Sequence, residues 1–179
     1  TATTGSFTYC GSIGATPQDG RLVFGNNCNY VFNGITTLPF PTGGTWQIPN
    51  DVTINGAVTF NKIDAFDLNG KLLVNSGGIL KLNPVLGADL NLKDTMTIDG
   101  SFDTNGSNKI LYSDGSPSIV LNGTFITKNP LGLTGSDASV PTLPIIMGID
   151  ATVNYAGGNQ VISSSLDYKN LIISGNGIK

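Results

Sequence analysis

Histidine and glutamate are both missing from this chain. Without His the commonest general base is gone, and neither a Ser-His-Asp relay, a Cys-His relay nor a His-based catalytic metal centre can be assembled. Without Glu, and with a single Arg (Arg21) and two Met, the best helix-forming polar residues are scarce, so helices should be few. Charge is sparse at 12% of residues, the net charge is −3, and Lys and Arg nowhere cluster. Nucleic acid is therefore not an expected partner, because it needs a basic footprint to exchange counterions with phosphates. No apolar run approaches the roughly 18–20 residues that cross a bilayer, so no membrane span is expected. Thr1 does not open a signal peptide, which suits a mature or excised piece of a longer secreted protein.

The residues that are abundant belong to turns and strand faces. Gly contributes 24 of 179 residues and hydrophobic residues 39%, enough for one domain with a sizeable core. The organising feature is a nine-residue pattern: apolar, any, apolar, Asn or Asp, Gly, any, apolar, any, apolar or Thr. It occurs at Val52–Phe60 around Asn55-Gly56, at Phe66–Val74 around Asn69-Gly70, at Met96–Thr104 around Asp99-Gly100, and at Ile119–Thr127 around Asn122-Gly123. Alternation with period two on both sides marks two half-buried strands, and the dipeptide marks the bend between them.

Two architectures can use such a unit. In an antiparallel hairpin-based β-sandwich, Asn-Gly sits in a type I′ turn and the two strands pair with each other. In a single-stranded parallel β-helix (a β-solenoid), the same dipeptide is a corner leading to the next face of one rung. The copies start at residues 52, 66, 96 and 119. Rungs of roughly 20–25 residues fit the last step, and fit the others if rungs vary in length. Ile79–Leu82, Leu90–Leu92 and Ile110–Tyr112 fill the intervals as a third face would, and stacked rungs bury inward residues continuously. The β-helix is the preferred reading. Residues 1–45 are read as an N-terminal capping region, 46–127 as rungs, 128–146 as a Pro/Gly-rich loop or linker, and 147–179 as a further β repeat that continues in the parent protein.

Cys10 and Cys28 both fall in the first segment. They are read as a disulfide, which would close a loop worth about 3 kcal/mol in the chain-entropy model, against the alternative of two separate buried thiols. A disulfide places the protein in an oxidising, extracellular compartment.

Two segments carry a family resemblance. Thr152-Val153-Asn154-Tyr155-Ala156-Gly157-Gly158-Asn159-Gln160-Val161-Ile162, then Tyr168-Lys169-Asn170-Leu171-Ile172-Ile173-Ser174-Gly175 and Gly177-Ile178-Lys179, resembles a repeat of large secreted surface proteins of Bacteroidetes. Residues 48–82 resemble their β-helical stretches, and together these cover roughly half of the chain. The resemblance implies a solenoid-forming, exported, cell-surface adhesin of the type IX secretion class. Some such proteins are linked to gliding motility. It implies the secretion machinery as one partner and an extracellular glycan or protein as another. It also implies an O-glycan acceptor at Thr95, since Asp94-Thr95-Met96 matches the short Asp-Thr/Ser-apolar sequence that these bacteria glycosylate.

The remaining chemistry is thin. Carboxylate pairs of the kind that cleave polysaccharides could come from Asp64 with Asp67 or from Asp99 with Asp103. However, Asn55, Asn69 and Asn122 stand at the position equivalent to Asp99, and Asn cannot replace a catalytic acid. Asp103-Thr104-Asn105-Gly106-Ser107-Asn108 spaces oxygen side chains as a Ca²⁺ loop would, but lacks the closing bidentate carboxylate; the preferred reading is a solvated turn. Trp46, Tyr112, Tyr155 and Tyr168 could stack on a sugar ring or point into the core. The expectation is a non-catalytic structural or adhesive segment with no cofactor and no metal. The alternative is a carbohydrate-binding or polysaccharide-cleaving β-helix.

Overall fold

The computed structural model describes residues 5–9, 28–39, 49–112 and 114–179. Cys10, Arg21 and Trp46 lie outside them, and so does the Cys10–Cys28 pairing. The described residues form a parallel β-solenoid of about six turns without a helix, and so none long and apolar enough to cross a membrane.

Each turn begins on one sheet, A, bends onto a second, B, and in the middle of the stack visits a third, C. A leading strand, β1 (Gly5–Tyr9), pairs on sheet A with β2 (Cys28–Phe32), and β3 (Thr36–Pro39) follows on sheet B. The next turn is β4 (Val52–Ile54), β5 (Ala57–Asn61) and β6 (Phe66–Leu68). Above it lie β7 (Leu72–Val74), β8 (Ile79–Leu82) and β9 (Leu90–Leu92), then β10 (Met96–Ile98), β11 (Ser101–Asp103) and β12 (Ile110–Tyr112). The upper turns keep only the first two faces as strands: β13 (Ile119–Leu121) with β14 (Thr124–Thr127), β15 (Ile145–Met147) with β16 (Thr152–Tyr155), and last β17 (Asn170–Ile173) on sheet B. Every strand pair among the described residues is parallel, which excludes the hairpin sandwich for them. On sheet A, Tyr30, Val52, Leu72, Met96, Ile119 and Ile145 occupy equivalent positions, so the turns span 22, 20, 24, 23 and 26 residues.

Alternation puts one face of each strand inside. The inward pairs Val52/Ile54, Leu72/Val74, Met96/Ile98 and Ile119/Leu121 are all buried, as are Phe66/Leu68 and Leu90/Leu92 on sheet C. Because strands repeat in register, like residues meet along the axis: Phe102 and Phe125 are register partners, with ring centroids 5.2 Å apart in an edge-to-face arrangement. No single turn could bury its own apolar face; each is covered by the turns on either side.

The four copies of the sequence pattern are not equivalent. Those at 52, 96 and 119 are the corner from sheet A to sheet B, whereas Phe66–Val74 is the corner from sheet C to sheet A. In the turn containing β7, the A-to-B corner is the longer Asn75-Ser76-Gly77-Gly78. The uneven 14- and 30-residue steps in the sequence thus come from comparing two different corners.

The corner dipeptide also has a different cause from a hairpin turn. The non-Gly residues with positive φ among those described are Asn105 and Asp137, so the corner Asn and Asp residues are not left-handed. Glycine is needed instead because turns approach closely. A Cβ on Gly56 would lie 2.2 Å from the Gly34 carbonyl oxygen, on Gly100 2.2 Å from that of Gly78, and on Gly123 2.1 Å from that of Gly100.

Candidate functional site

Asparagine side chains stack along the A-to-B corner. Asn55 Nδ2 donates to Asn33 Oδ1 at 2.6 Å, Asn75 Nδ2 to Asn55 Oδ1 at 2.5 Å, and Asn122 Nδ2 to Asp99 Oδ1 at 2.7 Å. Asn55, Asn75 and Asn122 each donate down the stack, and Asn33 and Asn55 accept from the amide above, which stacked parallel strands with repeated polar residues permit. The direction breaks at Asp99. An ionised carboxylate has no proton to donate to Asn75 Oδ1 below it. Asp99 therefore sits in a structural column, and Asp103, its proposed acid–base partner, is at the far end of β11 facing a different corner.

The other carboxylate pair is also divided. Asp64 lies exposed in the bend before β6, while Asp67 on the outer face of β6 accepts the Asn91 Nδ2 proton at 2.7 Å. Both act on Lys62, whose Nζ donates to the Ala65 carbonyl; burial pulls its pKa below the ordinary lysine range, with Asp67 and Asp64 opposing.

The Asp103–Asn108 segment holds a cation of its own. Asp103 is 3% exposed, and its Oδ2 lies 3.2 Å from Lys128 Nζ, which is also 3.0 Å from Asn105 Oδ1. Asp103 Oδ1 accepts the Asn105 backbone N–H at 2.7 Å. The two oxygens that a metal ion would have shared thus face the ammonium of the next turn. Deeper in, Asn108 donates through Nδ2 to the Asn83 and Thr104 carbonyls, while its buried Oδ1 meets no donor among the described residues. Asn83, Asn108, Asn129 and Gln160 make the B-side bend polar inside, where the A-to-B corner is polar outside.

Of the aromatic candidates, Tyr155 points inward and is fully buried, its hydroxyl 2.5 Å from that of half-buried Tyr168. Tyr155 accepts the Ser163 N–H, and Tyr168 donates to the Ser163 carbonyl at 2.8 Å, so the Tyr155 hydroxyl donates to Tyr168. Burial, followed by the Tyr155 hydroxyl, raises the Tyr168 pKa above the ordinary phenol range. Among the described candidates Tyr112 is the exposed one. Sheet C ends at β12, and the segment carrying Pro141 and Pro144 passes beside that end, leaving Tyr112 53% exposed. It lines an open groove of about 290 Å³ with Ser116, Pro117, Thr142, Leu143 and Pro144, none of them charged.

Thr95 is half-buried at the entry to β10. Its N–H donates to Asp94 Oδ1 at 2.6 Å, and its Oγ1 is 3.5 Å from Ser118 Oγ on the next turn. Sequence reasoning missed three features: the amide column, the Lys128 contact and the Tyr112 groove. The first had a signal, Asn or Asp recurring before Gly at one corner; the other two depend on contacts between turns. No family model, no curated protein and no solved structure matches this chain.

Proposed function

We propose that the chain is a non-catalytic structural or adhesive segment of a secreted or surface-held bacterial protein. The observation that carries this reading is the in-register parallel stack itself. An apolar core runs along the turns, amide columns tie successive corners, and the exposed sides are largely uncharged faces. The carboxylates that could serve hydrolysis are engaged with amides or Lys128 or stand apart on different bends. The Bacteroidetes resemblance, export by the type IX route and an extracellular location belong to the same reading, as does an O-glycan on half-buried Thr95.

A second reading, sugar recognition, has the Tyr112 groove in its favour. An exposed aromatic ring beside the hydroxyls of Ser116 and Thr142, without charge, suits a neutral saccharide. A glycan and matrix-protein array followed by a reducing-sugar assay separates the two. Binding without release of reducing ends is expected under the adhesive reading, and loss of glycan binding in Tyr112→Ala would favour sugar recognition. Hydrolysis abolished by Asp99→Asn would overturn the non-catalytic assignment.

A further inference from the structure

We infer that Asn105–Gly106 is a self-modification site, at which the asparagine converts to a carboxylate through a succinimide assisted by Lys128. An Asn-Gly pair reacts when the glycine nitrogen attacks the Asn Cγ, and the chain contains several such pairs that the fold treats differently. At three corners the glycine N–H is bound to a carbonyl of the turn below: Gly56 to Phe32, Gly70 to Asn50 and Gly123 to Ile98. Those glycines are also pressed against backbone or side-chain oxygens at 2.1–2.2 Å from an ideal Cβ, so the nitrogen has no room to swing. Gly106 N meets no acceptor among the described residues, and its nearest neighbour to an ideal Cβ, the Pro84 carbonyl oxygen, is at 3.0 Å.

The electrophile is prepared as well. Lys128 Nζ lies 3.0 Å from Asn105 Oδ1, where it stabilises the negative charge that develops on that oxygen as the tetrahedral adduct forms. Asp103 holds both partners, accepting the Asn105 N–H through Oδ1 and pairing with Lys128 through Oδ2. Asn105 is itself in the left-handed region at φ 53°, a conformation released when the bend relaxes. The steps balance without an oxidant. The Gly106 N–Cγ bond forms, the Cγ–Nδ2 bond breaks, and Nδ2 leaves as ammonia with the Gly106 proton. Water then opens the imide at either carbonyl, giving a normal or an iso-linked carboxylate. In the normal product the new carboxylate sits on Cγ and faces Lys128, which then has two acidic neighbours.

The test is peptide mass mapping of the chain held at mildly alkaline pH, folded and in urea. In urea all Asn-Gly pairs should convert at similar rates. On folding, Asn55, Asn69 and Asn122 should slow by at least about tenfold, while Asn105 keeps its urea rate or exceeds it, gaining about 1 Da, or about 3 Da in ¹⁸O water. Asn176–Gly177, exposed in the last turn, is the reference for an unassisted pair. Lys128→Met should slow Asn105 about tenfold in the folded state and leave its rate in urea alone, whereas Lys128→Arg keeps the cation and the rate. Slowing of Asn105 on folding as strong as that of the three corner pairs overturns the inference, and this comparison needs only the unmutated chain. An unchanged rate in folded Lys128→Met overturns it as well.

Discussion

At the scale of single residues, Asp99 is the informative one. It occupies an amide column as the member without a proton to give, so Asn75 Oδ1 below it lacks the donor that Asn33 and Asn55 have from above. Asp99→Asn should complete the column and raise stability by about 0.5–1 kcal/mol in urea titration; a loss instead would mean that the carboxylate is engaged elsewhere. Tyr168 gives a pH-dependent counterpart. Its raised pKa means that the folded state keeps a proton that the unfolded chain releases above about pH 10. Stability is therefore unaffected below that point and falls as pH rises beyond it. Tyr168→Phe should be less stable than the parent near neutrality, having lost its bonds to Tyr155 and Ser163, yet decline less steeply above about pH 10, as thermal melts at each pH would show.

At the scale of elements, the corners set what the strands tolerate. Gly123→Ala would place a methyl 2.1 Å from the Gly100 carbonyl oxygen, where the neighbour is backbone and cannot turn aside. A loss of about 2 kcal/mol or more in urea titration is expected, against a few tenths for Ser76→Ala in the open bend. This is also where the sequence was most and least readable. Alternation in Val52–Ile54 or Met96–Ile98 follows from which side chains avoid water, a property of each residue, so strands and inward positions could be read directly. Asn-Gly identified corners, yet could not say which corner, because Phe66–Val74 and Met96–Thr104 satisfy one pattern on different edges. The meeting of Lys128 with Asp103 and Asn105 depends on the turn lengths between them and has no local signature.

At the scale of the whole molecule, stability is distributed along one axis. A middle strand such as β10 pairs with β7 and β13, whereas β1 and β17 each have one partner among the described residues. Hydrogen exchange should therefore be slowest in β7, β10 and β13 and fastest toward β1 and β17, with protection falling gradually along the stack. Uniform protection throughout would instead show a single all-or-none unit. The inward-phase residues of β17, Leu171 and Ile173, are 42% and 50% exposed, whereas their register partners Val153 and Tyr155 on β16 are buried.

The unequal turn lengths carry a last consequence. Turns of 20 to 26 residues all advance the stack by the same strand spacing, about 4.8 Å, so extra residues cannot lengthen the molecule. They are thrown sideways, as in the bends around Pro84–Ala88 and Pro130–Ser139. Insertions therefore alter the profile of one edge while leaving the pitch and the opposite faces untouched. Evolution can retouch what this edge presents to its surroundings without renegotiating the spacing of everything stacked above it.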